Sequence, residues 1–396
     1  VLDELPPVTV LTGRNGCGKT SVLEAAFLLC GLSNASLVFS LASFRGLPVV
    51  AGADTPFRAL LPDLEEGESA LVEGATDRHH GGDGRLALEI VGITAPIGAG
   101  PVTEPKARLV GLEFRSRSRS GERKGSVKWE PAPIGPVAPV LELGPMRVES
   151  VPGLRSEIPE NPDLLPARYL RPHPQAVMGE LHGLLNEYVK RQATERVLQL
   201  IRLVASSVSV LQPLVEREQP MIYVGIGAKQ LFPAQILGGG FMNMLQLAIF
   251  MCDDIAELIL VDEIEDGLHY SVLPSLADAI LAFARQHRKQ FLIATHSLDV
   301  VRAFAEAAAT TPETLAFFKL YRRGEETKAE RFDVGQWKDL EEVGGEIGRA
   351  GSSGRKRAER TDPQAAASES RRTICRAPLP RRRKSRRKSS RRDDTA

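Results

Sequence analysis

The sequence predicts an α/β fold in which a mixed, largely parallel sheet is flanked by helices. Near the N-terminus the apolar, β-branched run Val8–Leu11 is followed by a helical stretch, Lys19–Leu32. Toward the C-terminus two further apolar runs, Leu258–Val261 and Phe291–Ala294, are each followed by helical periodicity. Strands that alternate with helices favour parallel pairing, so we expect both ends of the chain to contribute to one sheet.

Between these ends the pattern changes twice. From Arg85 to Ser150, short alternating runs separated by Gly and Pro predict a β-rich insert. From Val177 to Val215, the apolar period is helical and predicts a helical arm. The other predicted strands and hairpins are Arg85–Val91, Leu109–Ser116, Ser126–Glu130, Val140–Leu143, Ala167–Leu170, Met221–Val224 with Lys229–Pro233, and Leu315–Arg322. The other predicted helices are Phe241–Cys252, Ser271–Gln286 and Asp299–Ala309.

Composition excludes several classes of protein. The 396 residues are 42% hydrophobic and contain no apolar run near the ~20 residues that cross a bilayer, so we expect no membrane association. The four cysteines form no Cys-x-x-Cys pair, which argues against zinc and against a disulfide framework. Cys17 lies inside the glycine-rich segment 13–20, which suits a reducing, cytoplasmic location. The chain begins at Val1 rather than at Met, and we expect it to be truncated at this end.

The net charge of +1 hides an uneven distribution. Residues 351–396 hold 16 Lys/Arg and 5 Asp/Glu, a local charge of +11, which leaves −10 on the rest of the chain. A low-complexity basic segment of this kind predicts a disordered tail over 348–396 that binds DNA or RNA. A frame-shifted or mis-annotated end would give the same composition, and both interpretations stay open.

The most specific motif is a phosphate-binding loop between the first strand and the first helix. Residues 13–20 match G-x-x-x-x-G-K-[ST] in full. Glycines let such a loop turn its N–H groups toward phosphates, the lysine reaches the β- and γ-phosphates, and the hydroxyl ligates Mg²⁺. The motif therefore predicts ATP and Mg²⁺ as ligands. The residues predicted to bind the nucleotide here are Gly13, Arg14, Asn15, Gly16, Cys17, Gly18, Lys19, Thr20 and Ser21.

Two further motifs follow the C-terminal strands. Asp262 and Glu263 end the strand Leu258–Val261, where an ATPase needs one carboxylate for the metal ion and one for the attacking water. A solvated acidic turn, continued by Glu265 and Asp266, is the simpler alternative for the same residues. His296 follows the strand Phe291–Ala294, where it can sense a γ-phosphate or be an ordinary surface histidine. Its 34-residue offset from Asp262 spans one crossover and predicts adjacent strands.

Three consecutive glycines, Gly238, Gly239 and Gly240, precede the apolar helix Phe241–Cys252. They expose backbone N–H groups at a helix start, which is a potential anion site. A flexible turn between a hairpin and a helix explains the same glycines without any ligand.

Taken in order, these motifs resemble the ABC-type P-loop ATPases. The similarity is greatest to the branch with the recombination and double-strand-break repair ATPases and the AAA-type ATP-binding proteins. It rests on Asn15–Lys19, on Leu237–Gly240 before an apolar helix, and on Asp262–His269, and it covers about residues 5–325. The insert at 85–170 matches only loosely.

The resemblance implies a homodimer that holds two nucleotides in a sandwich. Thr20 and Asp262 would ligate Mg²⁺, Glu263 would catalyse, His296 would sense the γ-phosphate, and Gly238–Gly240 would act on the partner's nucleotide. This sequence departs from the family because Gly238 stands where a serine is usual and no Q-loop glutamine can be placed. ATP would close the dimer and hydrolysis would open it.

The implied organisation has five parts. They are 1–84, the N-terminal part of the ATPase core; 85–175, the β-rich insert; 176–218, the helical arm; 219–347, the C-terminal part of the core; and 348–396, the basic tail.

The function expected from the resemblance is a regulatory or DNA-associated ATPase that works with a partner effector, by analogy in anti-phage defence. A transporter nucleotide-binding subunit is the main alternative, and the β-rich insert argues against it. An Asn-Lys-x-Asp motif is absent, which argues against a GTPase. A non-enzymatic nucleic-acid-binding protein that depends on the tail is the remaining alternative.

Overall fold

The computed structural model describes residues 2–3, 5–47, 55–60, 69–76, 84–96, 107–129, 154–170, 178–324 and 326–337. The predicted strand Val140–Leu143 and the basic tail 348–396 lie outside these ranges.

Eight helices and fourteen strands make up the described part of the chain. The helices are α1 (Lys19–Gly31), α2 (Leu37–Phe44), α3 (Thr55–Leu60), α4 (Met178–Lys190), α5 (Thr194–Ile201), α6 (Gly239–Cys252), α7 (Leu273–His287) and α8 (Leu298–Ala307). The strands are β1 (Val8–Gly13), β2 (Ser69–Ala75), β3 (Arg85–Pro96), β4 (Ala107–Ser118), β5 (Gly121–Trp129), β6 (Leu154–Glu157), β7 (Ala167–Leu170), β8 (Val210–Glu216), β9 (Gln219–Gly225), β10 (Phe232–Pro233), β11 (Leu258–Asp262), β12 (Gln290–Ala294), β13 (Leu315–Arg323) and β14 (Glu326–Phe332).

A six-stranded sheet joins the two ends of the chain, with the order β14-β13-β1-β12-β11-β7. All its pairings are parallel except that of β14, which forms an antiparallel hairpin with β13. This confirms the predicted α/β fold with a mixed, largely parallel sheet. It also confirms that β11 and β12 are adjacent, with Asp262 opposite Ala294.

Both faces of this sheet are buried, which explains why its strands are continuous apolar runs. Val8 and Val10 of β1 face one core with α6, α7 and α8, whereas Leu11 faces the other core with α1 and α2. Helix α6 is apolar all round, and its residues 241–252 are all buried. No helix in the described ranges combines the length and the hydropathy that a bilayer span requires.

The β-rich middle of the chain forms a five-stranded antiparallel sheet, β2-β3-β4-β5-β6. Alternate residues of β3, such as Leu86, Leu88 and Ile90, are buried, as expected for a sheet with one covered face. The sheet begins at Ser69, ahead of the predicted start of the insert at residue 85. Strand β7 lies inside the predicted insert but pairs with β11 of the central sheet.

The prediction of helix from Val177 to Val215 is wrong at its C-terminal end. Helices α4 and α5 are present, but residues 210–216 form β8, which pairs with β9. Pro213 lies in this strand, and proline is unfavourable inside a helix. The two helices bury Leu185 and Val197 in the same core as α6 and therefore do not protrude as an arm.

Candidate nucleotide-binding site

The phosphate-loop motif occupies the turn between β1 and α1. Strand β1 ends at Gly13, and α1 begins at Lys19 with Gly18 as its N-cap. Gly16 and Gly18 have φ angles of 75° and 95°, in the left-handed region that favours glycine. A Cβ on Gly13 would lie 2.3 Å from the carbonyl oxygen of Leu320, so β13 packs directly against the start of the loop. These positions therefore need glycine for geometric reasons.

Lys19 is the buried cation of this loop. Its side chain is buried, and its Nζ donates to the carbonyl oxygens of Gly13 at 2.8 Å and Arg14 at 3.2 Å. Arg14, Asn15 and Gly16 are exposed, so the loop backbone is accessible to a ligand. The Lys19 ammonium, the exposed backbone of the loop and the N-terminus of α1 are close together. This combination favours the binding of a phosphate group.

Thr20 connects the loop to the end of β11. Its Oγ1 donates a hydrogen bond to Oδ2 of Asp262 at 2.9 Å, although 242 positions separate the two residues. Asp262 is buried and Thr20 is exposed. A hydroxyl and a carboxylate are the hard oxygen ligands that Mg²⁺ prefers, so the donor set fits this ion.

Glu263 follows with an unusual backbone. Its φ is 51°, in the left-handed region, and its N–H donates to the carbonyl oxygen of Ala294 at 3.0 Å. Such a conformation in a residue other than glycine costs on the order of 1 kcal/mol or more. The pairing with β12 holds this conformation and leaves the side chain 47% exposed. The carboxylate is therefore accessible at the carboxyl edge of the sheet.

His296 lies at the same edge because β11 and β12 are adjacent. Its ring is half-exposed, and Nδ1 is 3.8 Å from Oε1 of Glu263 and 3.2 Å from Oε1 of Glu265. The 3.8 Å separation is too long for a hydrogen bond. The predicted phosphate loop, the two carboxylates and the histidine thus lie at the carboxyl ends of β1, β11 and β12, where ligands of such sheets bind.

The three glycines occupy the start of α6. Gly238 is the N-cap, with a φ of 91°, and Gly238 and Gly239 are exposed. Gly240 packs against Gly267, because a Cβ at position 240 would be 1.8 Å from the Gly267 carbonyl oxygen. Asn243 also donates to the carbonyl oxygen of Asp266 at 3.0 Å. The glycine segment is therefore fixed to the loop that follows Asp262 and Glu263 of the same chain.

Some residues of the site were not singled out by the sequence. Thr327 of β14 donates to the carbonyl oxygen of Cys17 at 3.2 Å and so supports the phosphate loop from outside. Glu265, which the sequence presents as part of an acidic turn, accepts hydrogen bonds from Thr295 and its neighbours. The Asp-Glu-x-Glu spacing was a visible signal for Glu265, but no sequence signal marks Thr327.

Part of the chain matches the model of a known protein family. Residues 153–302, less than half of the chain, match a family described as "AAA domain, putative AbiEii toxin, Type IV TA system". The matched segment contains the glycine segment, Asp262, Glu263 and His296. The phosphate-loop motif precedes the matched segment in the sequence and follows β1, a strand of the same sheet. The match confirms the resemblance to ABC-like P-loop ATPases that the motifs indicate.

Solved structures with a similar arrangement are ATPase heads of SMC proteins. A SmcHead bound to the C-winged helix domain of ScpA is 12% identical, with 86% of this chain and 94% of that chain covered and a TM-score of 0.42. An SMC head domain from Thermotoga maritima is 13% identical, with 82% and 90% covered and a TM-score of 0.34. No curated protein matches this chain.

Proposed function

We propose that this P-loop ATPase binds MgATP at Gly13–Ser21 and hydrolyses it. The observation that carries the proposal is the 2.9 Å hydrogen bond between Thr20 and Asp262. It brings the hydroxyl of the phosphate loop and the acidic end of β11 together, as a shared magnesium ion requires. A glycine-rich turn without a ligand would not require a threonine hydroxyl and an aspartate carboxylate to lie side by side.

Each residue then has a separate task. Backbone N–H groups of the loop and the Lys19 ammonium bind the β- and γ-phosphates. Thr20 and Asp262 would hold Mg²⁺, which neutralises charge that develops on the phosphate oxygens. Glu263 accepts a proton from the attacking water, whose oxygen bonds to the γ-phosphorus as the bond to the β–γ bridging oxygen breaks. ADP and inorganic phosphate are the products.

The proposal extends to a homodimer. Gly238 and Gly239 offer exposed backbone N–H groups at the start of the 14-residue helix α6, where an anion is stabilised. In a head-to-tail dimer these groups would contact the γ-phosphate bound to the partner's phosphate loop. Gly238 replaces the usual serine, so this contact would depend on backbone groups alone.

The cellular role that we propose is regulatory or DNA-associated, in the cytoplasm. The matched family's description names a toxin of a toxin–antitoxin system, which supports a role in defence. A partner protein would supply the effector chemistry, and the basic segment 351–396 would supply any contact with DNA or RNA.

The test is the solution mass of the Glu263→Gln protein with MgATP, with MgADP and without nucleotide. The variant keeps the phosphate-binding groups but loses the proton acceptor, so it should bind ATP, fail to turn it over and shift from monomer to dimer with ATP only. Lys19→Ala in the same background is the control, because it should remain monomeric throughout. A Glu263→Gln protein that binds ATP and stays monomeric refutes the sandwich, and normal turnover in it refutes the role of Glu263.

A further inference from the structure

Among the described residues of the site, Glu265 is an acidic residue that is mostly buried and does not belong to the predicted catalytic set. Its side chain is 13% exposed, against 47% for Glu263 two positions earlier. Burial of a carboxylate costs several kcal/mol unless hydrogen bonds or charges compensate for it. The residues around Glu265 should therefore show what the carboxylate does.

In the described part of the chain, the hydrogen bonds that compensate for this burial come from the segment that follows β12. Oε1 of Glu265 accepts from Oγ1 of Thr295 at 2.8 Å, from the backbone N of His296 at 3.0 Å and from that of Ser297 at 3.2 Å. Thr295 is itself fixed to β1, since its N–H donates to the carbonyl oxygen of Leu11 at 3.0 Å. One oxygen atom thus ties the loop after β11 to three consecutive residues after β12.

The same oxygen also lies beside the His296 ring. Nδ1 is 3.2 Å from Oε1 of Glu265, whereas Oε1 of Glu263 is farther away, at 3.8 Å. A carboxylate can only accept a hydrogen bond, so a hydrogen on Nδ1 would be favoured here and Nε2 would be left to interact with a ligand.

We propose that Glu265 is a positioning residue that sets the tautomer of His296 and holds the 295–297 turn for the γ-phosphate. It touches neither the phosphate loop nor the reacting atoms, and it acts through His296. Its other oxygen, Oε2, is buried and has no hydrogen-bond partner among the described residues, so every side-chain hydrogen bond seen for this carboxylate is made by Oε1. The inference rests on the proposed ATPase function, because it assigns a role within that site.

The test is a double-mutant cycle of Glu265→Gln and His296→Ala. Glutamine keeps the shape of the side chain but offers a neutral oxygen. We therefore expect kcat to fall about 10-fold, as it does when a residue that orients a catalytic side chain is changed, with KM changed less than about twofold. If Glu265 acts through His296, Glu265→Gln should have no further effect on kcat in the His296→Ala protein. Asp299→Asn is the matched control, since it makes the same charge change in the first turn of α8 and its partner is Arg302.

A second readout does not depend on turnover. In ¹⁵N spectra of the nucleotide-free protein, the neutral His296 ring should carry its hydrogen on Nδ1, and Glu265→Gln should shift the population toward Nε2. The resonance is assigned by its loss in His296→Ala. Additive losses of kcat in the cycle, or an unchanged tautomer in Glu265→Gln, would overturn the inference while leaving the ATPase function intact. An unmutated protein with no turnover at all would instead refute the proposed function, and the inference with it.

Discussion

Replacing Gly240 with alanine should break the contact that holds the start of α6 against the loop after β11. A Cβ at position 240 would lie 1.8 Å from the carbonyl oxygen of Gly267 and 2.6 Å from its carbonyl carbon. Both are backbone atoms, so no side-chain rotation relieves the clash. The two segments must separate until the oxygen is at least 3.0 Å from the new Cβ. Forcing a methyl group into a packed contact of this kind costs ~1–3 kcal/mol.

The neighbouring Gly239 provides a matched control. A Cβ there has no neighbour within 4 Å, so Gly239→Ala should show only the gain of ~1 kcal/mol or less that alanine brings to a helix. The same gain partly offsets the clash at Gly240. We therefore expect Gly240→Ala to lower the free energy of unfolding by about 1–2 kcal/mol. Gly239→Ala should leave it unchanged or raise it slightly.

Urea unfolding of the nucleotide-free proteins, followed by circular dichroism, measures this difference. A functional consequence is measured by combining Gly240→Ala with Glu263→Gln and determining the mass with MgATP. Because the displaced helix start carries the proposed trans contact, dimer formation should weaken while binding of ATP to the monomer stays the same. If Gly240→Ala is as stable as Gly239→Ala, the close approach of Gly240 to Gly267 is refuted.

The remaining predictions concern the phosphate loop and a buried ion pair. Lys19→Ala should weaken ATP binding by about 100-fold or more, as expected when a buried cation that binds a phosphate is removed. The control Lys190→Ala should leave ATP binding unchanged, and calorimetric titration measures both affinities. Arg45→Ala should lower the free energy of unfolding by about 2 kcal/mol, because it removes the guanidinium that is hydrogen-bonded to the carboxylate of Glu24, which is only 5% exposed. Urea unfolding of that variant beside Glu24→Gln/Arg45→Met, which should be less destabilised, tests it; equal losses would contradict the reasoning.

The parts of this protein that were predictable from sequence are those in which one residue type meets a local requirement. Residues 8–31 form a strand, a glycine-rich loop and a helix. This order was predictable because a phosphate-binding loop needs glycine at positions with left-handed backbone conformations. The adjacency of β11 and β12 followed from one crossover of ordinary length. Predictions failed where long-range pairing decides the structure. Residues 210–216 have apolar positions that fit a helix, yet they pair with β9, and the edge strand β14 was not predicted at all.

The amino-acid sequence alone predicts an α/β protein with a phosphate-loop motif, an acidic strand end and a following histidine. How these segments support one another is visible only in the folded chain. Thr327 contacts Cys17 across 310 positions, and Glu265 accepts from three donors on a neighbouring loop. The reason is physical: conformational requirements of single residues act locally and leave a pattern in the sequence. Hydrogen bonds between distant segments form only when the sheet brings those segments together. The sequence of a turn therefore does not show whether one of its polar residues has such a partner.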